Sequence, residues 1–168
     1  MLTQKTRYSM LALIRLAKEY GKGEVLLINE IAESEKIPKR FLESILLELK
    51  NNGYLASKLG KNGGYYLIKN PNDINLLEII RLFEGTIAWI ACTSEKYYQP
   101  CEHCKDEETC KIRHTFKDIR SYTYKKLQET SIASLMDDNS VIATNMSYPS
   151  MMHLRNRSKR QVSQKNES

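Results

Sequence analysis

No stretch of this chain stays apolar for long enough to cross a membrane. The longest, from Ile74 to Ala91, is interrupted by Glu78, Arg81 and Glu84, whereas a span needs about 20 nearly uncharged residues. The opening Met-Leu-Thr-Gln-Lys lacks a basic lead, an apolar core and a small-residue cleavage site, so no signal peptide is read. Histidine is scarce, at three in 168 residues. There is also no nucleophile elbow, no phosphate-binding loop and no paired acid and base in a recognisable setting, which argues against an enzyme. These absences leave a cytoplasmic, non-enzymatic protein as the expectation. In that compartment thiols are held reduced, which favours metal ligands or a redox switch over a disulfide frame.

Cysteine is scarce too, and its placement is informative. Three of the four lie in Cys101-x2-Cys104-x5-Cys110, with Cys92 nine residues upstream and His114 four residues downstream. Random scatter rarely bunches soft ligands so tightly, and the bunching asks for a metal centre or a thiol sensor. Iron–sulfur clusters take thiolates, and four cysteines in one loop supply enough of them without a second chain. Tetrahedral zinc accepts the same set, with Cys101, Cys104 and Cys110 joined by Cys92 or His114. A bare thiol switch is the third reading. Spacing does not separate the three.

The formal charge of +6 resembles a nucleic-acid footprint until it is located. Arg155, Arg157, Lys159, Arg160 and Lys165 against Glu167 account for +4 of it within residues 147–168, leaving +2 for the rest. DNA binding must therefore be argued from individual cations, not from bulk charge. The tail, residues 140–168, is polar and basic and has little to bury, so it is expected to be disordered.

Periodicity sketches the ordered part. Thr3 can cap a first helix, apolar from Tyr8 to Ala17 apart from Ser9 and Arg15, which should be buried around most of its circumference. A short amphipathic segment, Ile28 to Ser34, is followed by a second helix opened by Pro38 and ended by Asn52-Gly53. In the latter, Phe41, Leu42, Ile45 and Leu49 form an inward stripe, while Lys39, Arg40, Glu43 and Ser44 point outward. This is the layout of a helix-turn-helix. Strand-like runs from Tyr54 to Leu59 and from Gly64 to Ile68 enclose Gly60-Lys61-Asn62-Gly63-Gly64, a hairpin tip whose glycines permit close approach to a phosphate or groove. Directly after a helix-turn-helix, that hairpin reads as a DNA-binding wing.

A loop at Asn70–Asp73 precedes a helix that buries Leu76, Ile79, Ile80 and Phe83 and stops near Gly85. Residues 92–110 carry no period and should be a loop. From Lys111 a long helix follows, with Ile112, Phe116, Ile119, Thr123 and Leu127 on one stripe and Arg113, Lys117, Asp118, Arg120, Lys125 and Lys126 on its other faces. Such a lone stripe needs a partner, and a second copy of the same helix is the economical one. The expected fold is mainly α with a small β-hairpin wing: a winged helix-turn-helix over residues 1–70, then a connecting helix, cysteine loop and dimerisation helix over 71–139.

Three motifs in order, Leu2-Thr3-Gln4-Lys5-Thr6-Arg7-Tyr8, Ile31-Ala32 before Ile37-Pro38-Lys39-Arg40-Phe41-Leu42-Glu43, and Gly60-Lys61-Asn62-Gly63-Gly64-Tyr65-Tyr66-Leu67, resemble the Rrf2 family of bacterial winged-helix regulators from Leu2 to about Asp138. The resemblance implies a homodimer crossed at the long helix and double-stranded DNA with a partly palindromic operator as the partner. It also implies a [2Fe-2S] or [4Fe-4S] cluster on three cysteines, here Cys92, Cys104 and Cys110. The gap between Cys92 and Cys104 is longer than the family pattern and brings in Cys101 as a fourth candidate ligand; His114 is displaced by one residue from the family's histidine, and Arg7 stands where some members place a carboxylate. Zinc stays as the alternative metal. The DNA-contacting candidates are Lys39, Arg40, Glu43 and Ser44 on the recognition helix, Lys58, Lys61, Asn62 and Gly63 in the wing, and Lys5 as a phosphate anchor. A module that docks on a partner protein is the competing class of function.

Overall fold

The computed structural model describes residues 2–60 and 63–136. The basic tail and the wing residues Lys61 and Asn62 lie outside the described residues.

Helix α1, Gln4–Ala17, opens as its sequence predicts, with the Thr3 side chain accepting from Thr6 N at 3.3 Å. Thr6, Ser9, Ala12, Leu13, Leu16 and Ala17 are buried, but Leu11 is exposed. The helix is thus buried on one broad face, not around most of its circumference, with Leu11 37% exposed on the other side.

Helix α2, Ile28–Ser34, is held at its start by Glu30 Oε2, which accepts from Leu27 N at 2.8 Å. It ends where Lys36 takes the left-handed conformation, φ 53°, and Ile37 N donates to Ala32 O at 2.9 Å. That reversal buries Ile37 and points the chain into α3, Lys39–Asn51. Pro38 supplies no side-chain cap; its carbonyl accepts from Phe41 N and Leu42 N at 2.9 and 3.0 Å. Leu42, Ile45, Leu46 and Leu49 are fully buried. Phe41, expected inward, stays 40% exposed at the rim, its ring edge-on to Tyr8 with centroids 5.7 Å apart.

Strands β1, Leu55–Lys58, and β2, Gly64–Leu67, pair antiparallel with Leu55 opposite Leu67 and Lys58 opposite Gly64. Leu26 adds a third rung: its N–H donates to Tyr65 O at 2.9 Å and its carbonyl accepts from Tyr65 N at 2.8 Å. The approach is so close that a Cβ on Gly64 would lie 2.5 Å from Leu26 O, so only glycine fits there.

Helix α4, Leu76–Glu84, is capped by Asn75, whose Oδ1 accepts from Glu78 N at 2.9 Å, and stops at Gly85, φ 80°. It buries Leu77, Ile79 and Ile80, with Leu76 and Phe83 half-buried. Residues 86–110 run without regular structure apart from a 3₁₀ turn at Ala91–Thr93, and α5, Lys111–Glu129, follows. After α5 the chain returns to the core: Leu76 N donates to Thr130 O at 3.0 Å, Ile132 N donates to Ile74 O at 2.8 Å, and Ile132 is fully buried. Residues on either side of position 70 therefore contribute to one core, which joins Leu13 and Leu16 to Ile45, Leu67, Ile79 and Ile132. Among the described residues no helix is long and apolar enough to cross a membrane.

Gly64→Ala should lower stability by roughly 1–3 kcal/mol through the forced separation of β2 from Leu26. Urea unfolding monitored by circular dichroism reads this, and an unchanged midpoint would show that the bridge yields freely.

Candidate functional site

Two surfaces hold the candidate residues. On the first, Lys39, Arg40, Glu43 and Ser44 are all exposed on the first turns of α3, held outward because the opposite face is the core stripe Leu42, Ile45, Leu46, Leu49. Ser44 Oγ donates to Phe41 O at 2.8 Å, so its hydroxyl is engaged within its own helix. Lys58 is exposed at the end of β1, and Gly63 N donates to Gly60 O at 2.9 Å, closing the hairpin turn. A Cβ on Gly63 would lie 2.3 Å from Lys58 O, which explains the glycine at that position.

Lys5 lies elsewhere. Its ammonium is ion-paired with Glu48 of α3 and lies 5.2 Å from the Phe83 ring centroid of α4, so a phosphate contact would compete with an internal tie. The sequence reading passed over Lys50, whose Nζ donates to Ser57 Oγ at 2.6 Å and ties the wing to α3. It also passed over Leu47, 55% exposed one turn beyond Glu43 on the recognition face.

The second surface is the cysteine loop. Cys92, Cys101, Cys104 and Cys110 all line one cavity of about 540 Å³. Cys92 is buried, Cys104 and Cys110 are half-buried, Cys101 is exposed, and none is in a disulfide. Cys92 is fixed from behind: Arg113 Nε donates to its carbonyl at 3.2 Å, and Arg120 donates to the neighbouring Thr93 carbonyl. Glu95 lies between Arg81 and Arg120, at 3.8 and 3.7 Å. Arg113 and Arg120, expected on the faces of α5 away from its apolar stripe, have side chains only 16% and 17% exposed. Their spacing of seven residues, two helical turns, is the signal that could have paired them.

The rest of the loop is built from turns. Cys104 N donates to Cys101 O at 3.1 Å, and Asp106 accepts from Glu108 N at 3.0 Å and Thr109 Oγ1 at 2.9 Å. Glu107 pairs with Arg113 at 3.0 Å and accepts from the Tyr98 hydroxyl. His114 is hydrogen-bonded to the Glu108 carbonyl and does not line the cavity; His103 does, a residue the spacing argument overlooked.

Cys110 is the N-cap of α5, its sulfur accepting from Arg113 N at 3.5 Å. That backbone donor, the Cys104 thiol and the positive end of the helix pull the Cys110 thiol below the ordinary range. Partial desolvation and the neighbouring Cys110 thiol push Cys104 the other way, and its Sγ donates to Asp106 O at 3.2 Å. As a donor set, four reduced thiols around one cavity fit a thiolate-ligated centre. Among the described residues, however, no three Cys, His, Asp or Glu side chains converge closely enough to hold a metal ion, so the loop is in an open arrangement.

A winged helix-turn-helix joined to a cysteine loop and a long helix defines the class of transcriptional regulators. The chain belongs to the Rrf2 family, described as iron-dependent transcriptional regulators, which it matches over residues 2–138. It is 45% identical over 121 residues to an rrf2-like HTH-type transcriptional regulator of Rhodobacter capsulatus, covering 71% of this chain and 81% of that protein. It is 32% identical over 136 residues to the regulator NsrR of Bacillus licheniformis, covering 80% and 91% respectively. The solved structure of CymR, the global cysteine regulator of B. subtilis, superposes with TM-score 0.67 at 27% identity, covering 81% of this chain and 95% of CymR. The regulator fold and the non-enzymatic class expected from the sequence are thereby established.

Iodoacetamide labelling of the reduced protein at neutral pH should modify Cys110 several-fold faster than Cys104, with buried Cys92 slowest. Peptide mass spectrometry over time reads the order, and equal rates at Cys104 and Cys110 would contradict the opposite shifts of the two thiols.

Proposed function

We propose that this chain is a dimeric, DNA-binding transcriptional regulator whose operator affinity is set by an iron–sulfur centre on the cysteine loop. The observation that carries the proposal is that every thiol of the chain faces a single cavity, and the family's description as iron-dependent regulators supports it. Cys92, Cys104 and Cys110 would hold the centre, with Cys101 supplying a fourth thiolate. When bound, such a centre supplies a redox- and ligand-labile group that iron scarcity, oxidants or nitric oxide can remove or convert. The chain's own residues do the rest. Arg113 and Arg120 hold the Cys92 turn against α5, and Cys110 is kept thiolate-prone by its cap position. If the loop closes more readily in one arrangement of the two wings, occupancy changes operator affinity by the difference between the two states.

A second copy is the natural partner of α5. Its 19 residues include none that is buried, and Ile112, Ile119 and Tyr122 are 66%, 42% and 58% exposed on the single chain. Pairing α5 with its twin covers that apolar surface and spaces two recognition helices for two half-sites. A thiol switch without metal is the second reading, favoured by Cys104 and Cys110 lining one cavity with their thiols shifted in opposite directions; structural zinc is the third.

Protein purified without oxygen should be coloured, with iron matched by acid-labile sulfide, and Cys104→Ala and Cys110→Ala should each abolish the visible absorption. A colourless chain with about one zinc would make the loop structural. A colourless, metal-free chain whose operator affinity follows thiol oxidation would establish the switch. Arg40→Ala should weaken specific binding by about 1–3 kcal/mol at constant salt, and an unchanged operator affinity removes Arg40 from the recognition surface.

A further inference from the structure

Among the described residues the most exposed large apolar side chain is Leu59, with 92% of its surface open to solvent. It follows β1 directly, between the exposed Lys58 and Gly60, whose φ of 109° only glycine adopts without strain. Leaving such a side chain in water forgoes the gain of burying it. The hairpin that presents it is not loose. Its turn is closed by the Gly63 N to Gly60 O bond at 2.9 Å, its far strand is bridged to Leu26, and its near strand is tied to α3 by Lys50 Nζ and Ser57 Oγ at 2.6 Å. Lys50 and Ser57 thus tie the recognition helix to the strand that presents Leu59.

A four-residue strand is about 13 Å long, while the major and minor grooves are about 12 and 6 Å wide. Under the DNA-binding reading, with α3 in a major groove, the braced hairpin would bring Leu59 to the adjacent minor groove. There it presents an apolar side chain flanked by a cation. Proteins that unstack a base step from the minor groove use this combination, an aliphatic wedge between bases with basic residues on the bordering phosphates.

We propose that Leu59 is an apolar wedge that enters the minor groove beside the recognition helix, bends the duplex and favours flexible pyrimidine–purine steps at a position no polar side chain reads. The proposal rests on the reading of the chain as a DNA-binding regulator.

The test begins with a duplex selected from a random library by the full wild-type chain. Affinity is then measured across a salt series, and bending by circularly permuted gel mobility. Leu59→Ala should lose roughly tenfold in affinity with an unchanged salt slope, because an apolar contact releases no counterions. It should also bend the duplex less, while Leu59→Met retains both properties. The residue is exposed, so neither variant should shift thermal unfolding. Wild-type affinity and bend in Leu59→Ala would overturn the wedge and leave the regulator reading intact. So would an affinity loss accompanied by a shallower salt slope, which would mean displaced phosphate contacts. A wild-type chain that selects no duplex would overturn the DNA-binding reading itself, and the wedge with it.

Discussion

Burial of α1 is the constraint on which the other elements depend. The helix packs against α3, α4, β2 and the segment following α5, and Ala12, Leu13, Leu16 and Ala17 are almost wholly removed from water. Small side chains on that face, Ser9, Ala12 and Ala17, let neighbouring backbones come close, and the leucines fill the space between them. Truncating a leucine there would leave a cavity beneath several elements at once, which is where large-to-small substitutions are most costly. Recognition helix, wing and cysteine loop have no separate cores of their own. The recognition helix and the wing's β2 rest against α1, and the cysteine loop is held by α5, which packs on α4.

Polar ties complete what burial begins. Glu84, the last residue of α4, accepts from Thr3 N at 2.7 Å, from Thr3 Oγ1 at 2.8 Å and from the Thr6 hydroxyl. The Thr6 hydrogen bond is foremost among the contacts that hold its carboxyl below the usual range. One residue later the chain turns at Gly85 toward the cysteine loop. Lys5, on the same first turn of α1, reaches Glu48 of α3 and the Phe83 ring. Under the proposed function, the route from a changed cysteine loop to the recognition helix is therefore short. It runs from Arg81, Glu95 and Arg120 to the end of α4, through Glu84 to the first turn of α1, and through Lys5 to α3. Coupling of this kind is reciprocal, so operator DNA would alter the exposure of the thiols as much as the thiols alter DNA affinity.

Much of this was legible in residue order because it depends on local rules. Thr3, Asn75 and Gly85 mark helix ends through hydrogen bonds and dihedral angles set within a few residues. Lys39, Arg40, Glu43 and Ser44 could be assigned to solvent because helical periodicity places them opposite Leu42, Ile45 and Leu49. Lys5 was not legible in this way. Its partners are 43 and 78 positions away, and nothing in residues 1–10 distinguishes an internal strut from a phosphate anchor. The burial of Arg113 and Arg120 was not legible for the same reason, since a charged residue on an amphipathic helix is assigned to water unless a carbonyl from elsewhere faces it.

By itself the sequence determined the order of the elements, the recognition helix and its outward residues, the glycine-marked wing, and the presence of four thiols near the start of a long helix. Those features depend on backbone propensity, period and composition, which are properties of neighbours in the chain. Only the tertiary structure decided that all four thiols share one cavity, that two arginines of α5 clamp the Cys92 turn, that Lys5 belongs to the interior ties, and that Leu59 extends alone from a braced hairpin. Each of these depends on how segments that are not neighbours in the chain fold against one another, which backbone propensity, period and composition do not report.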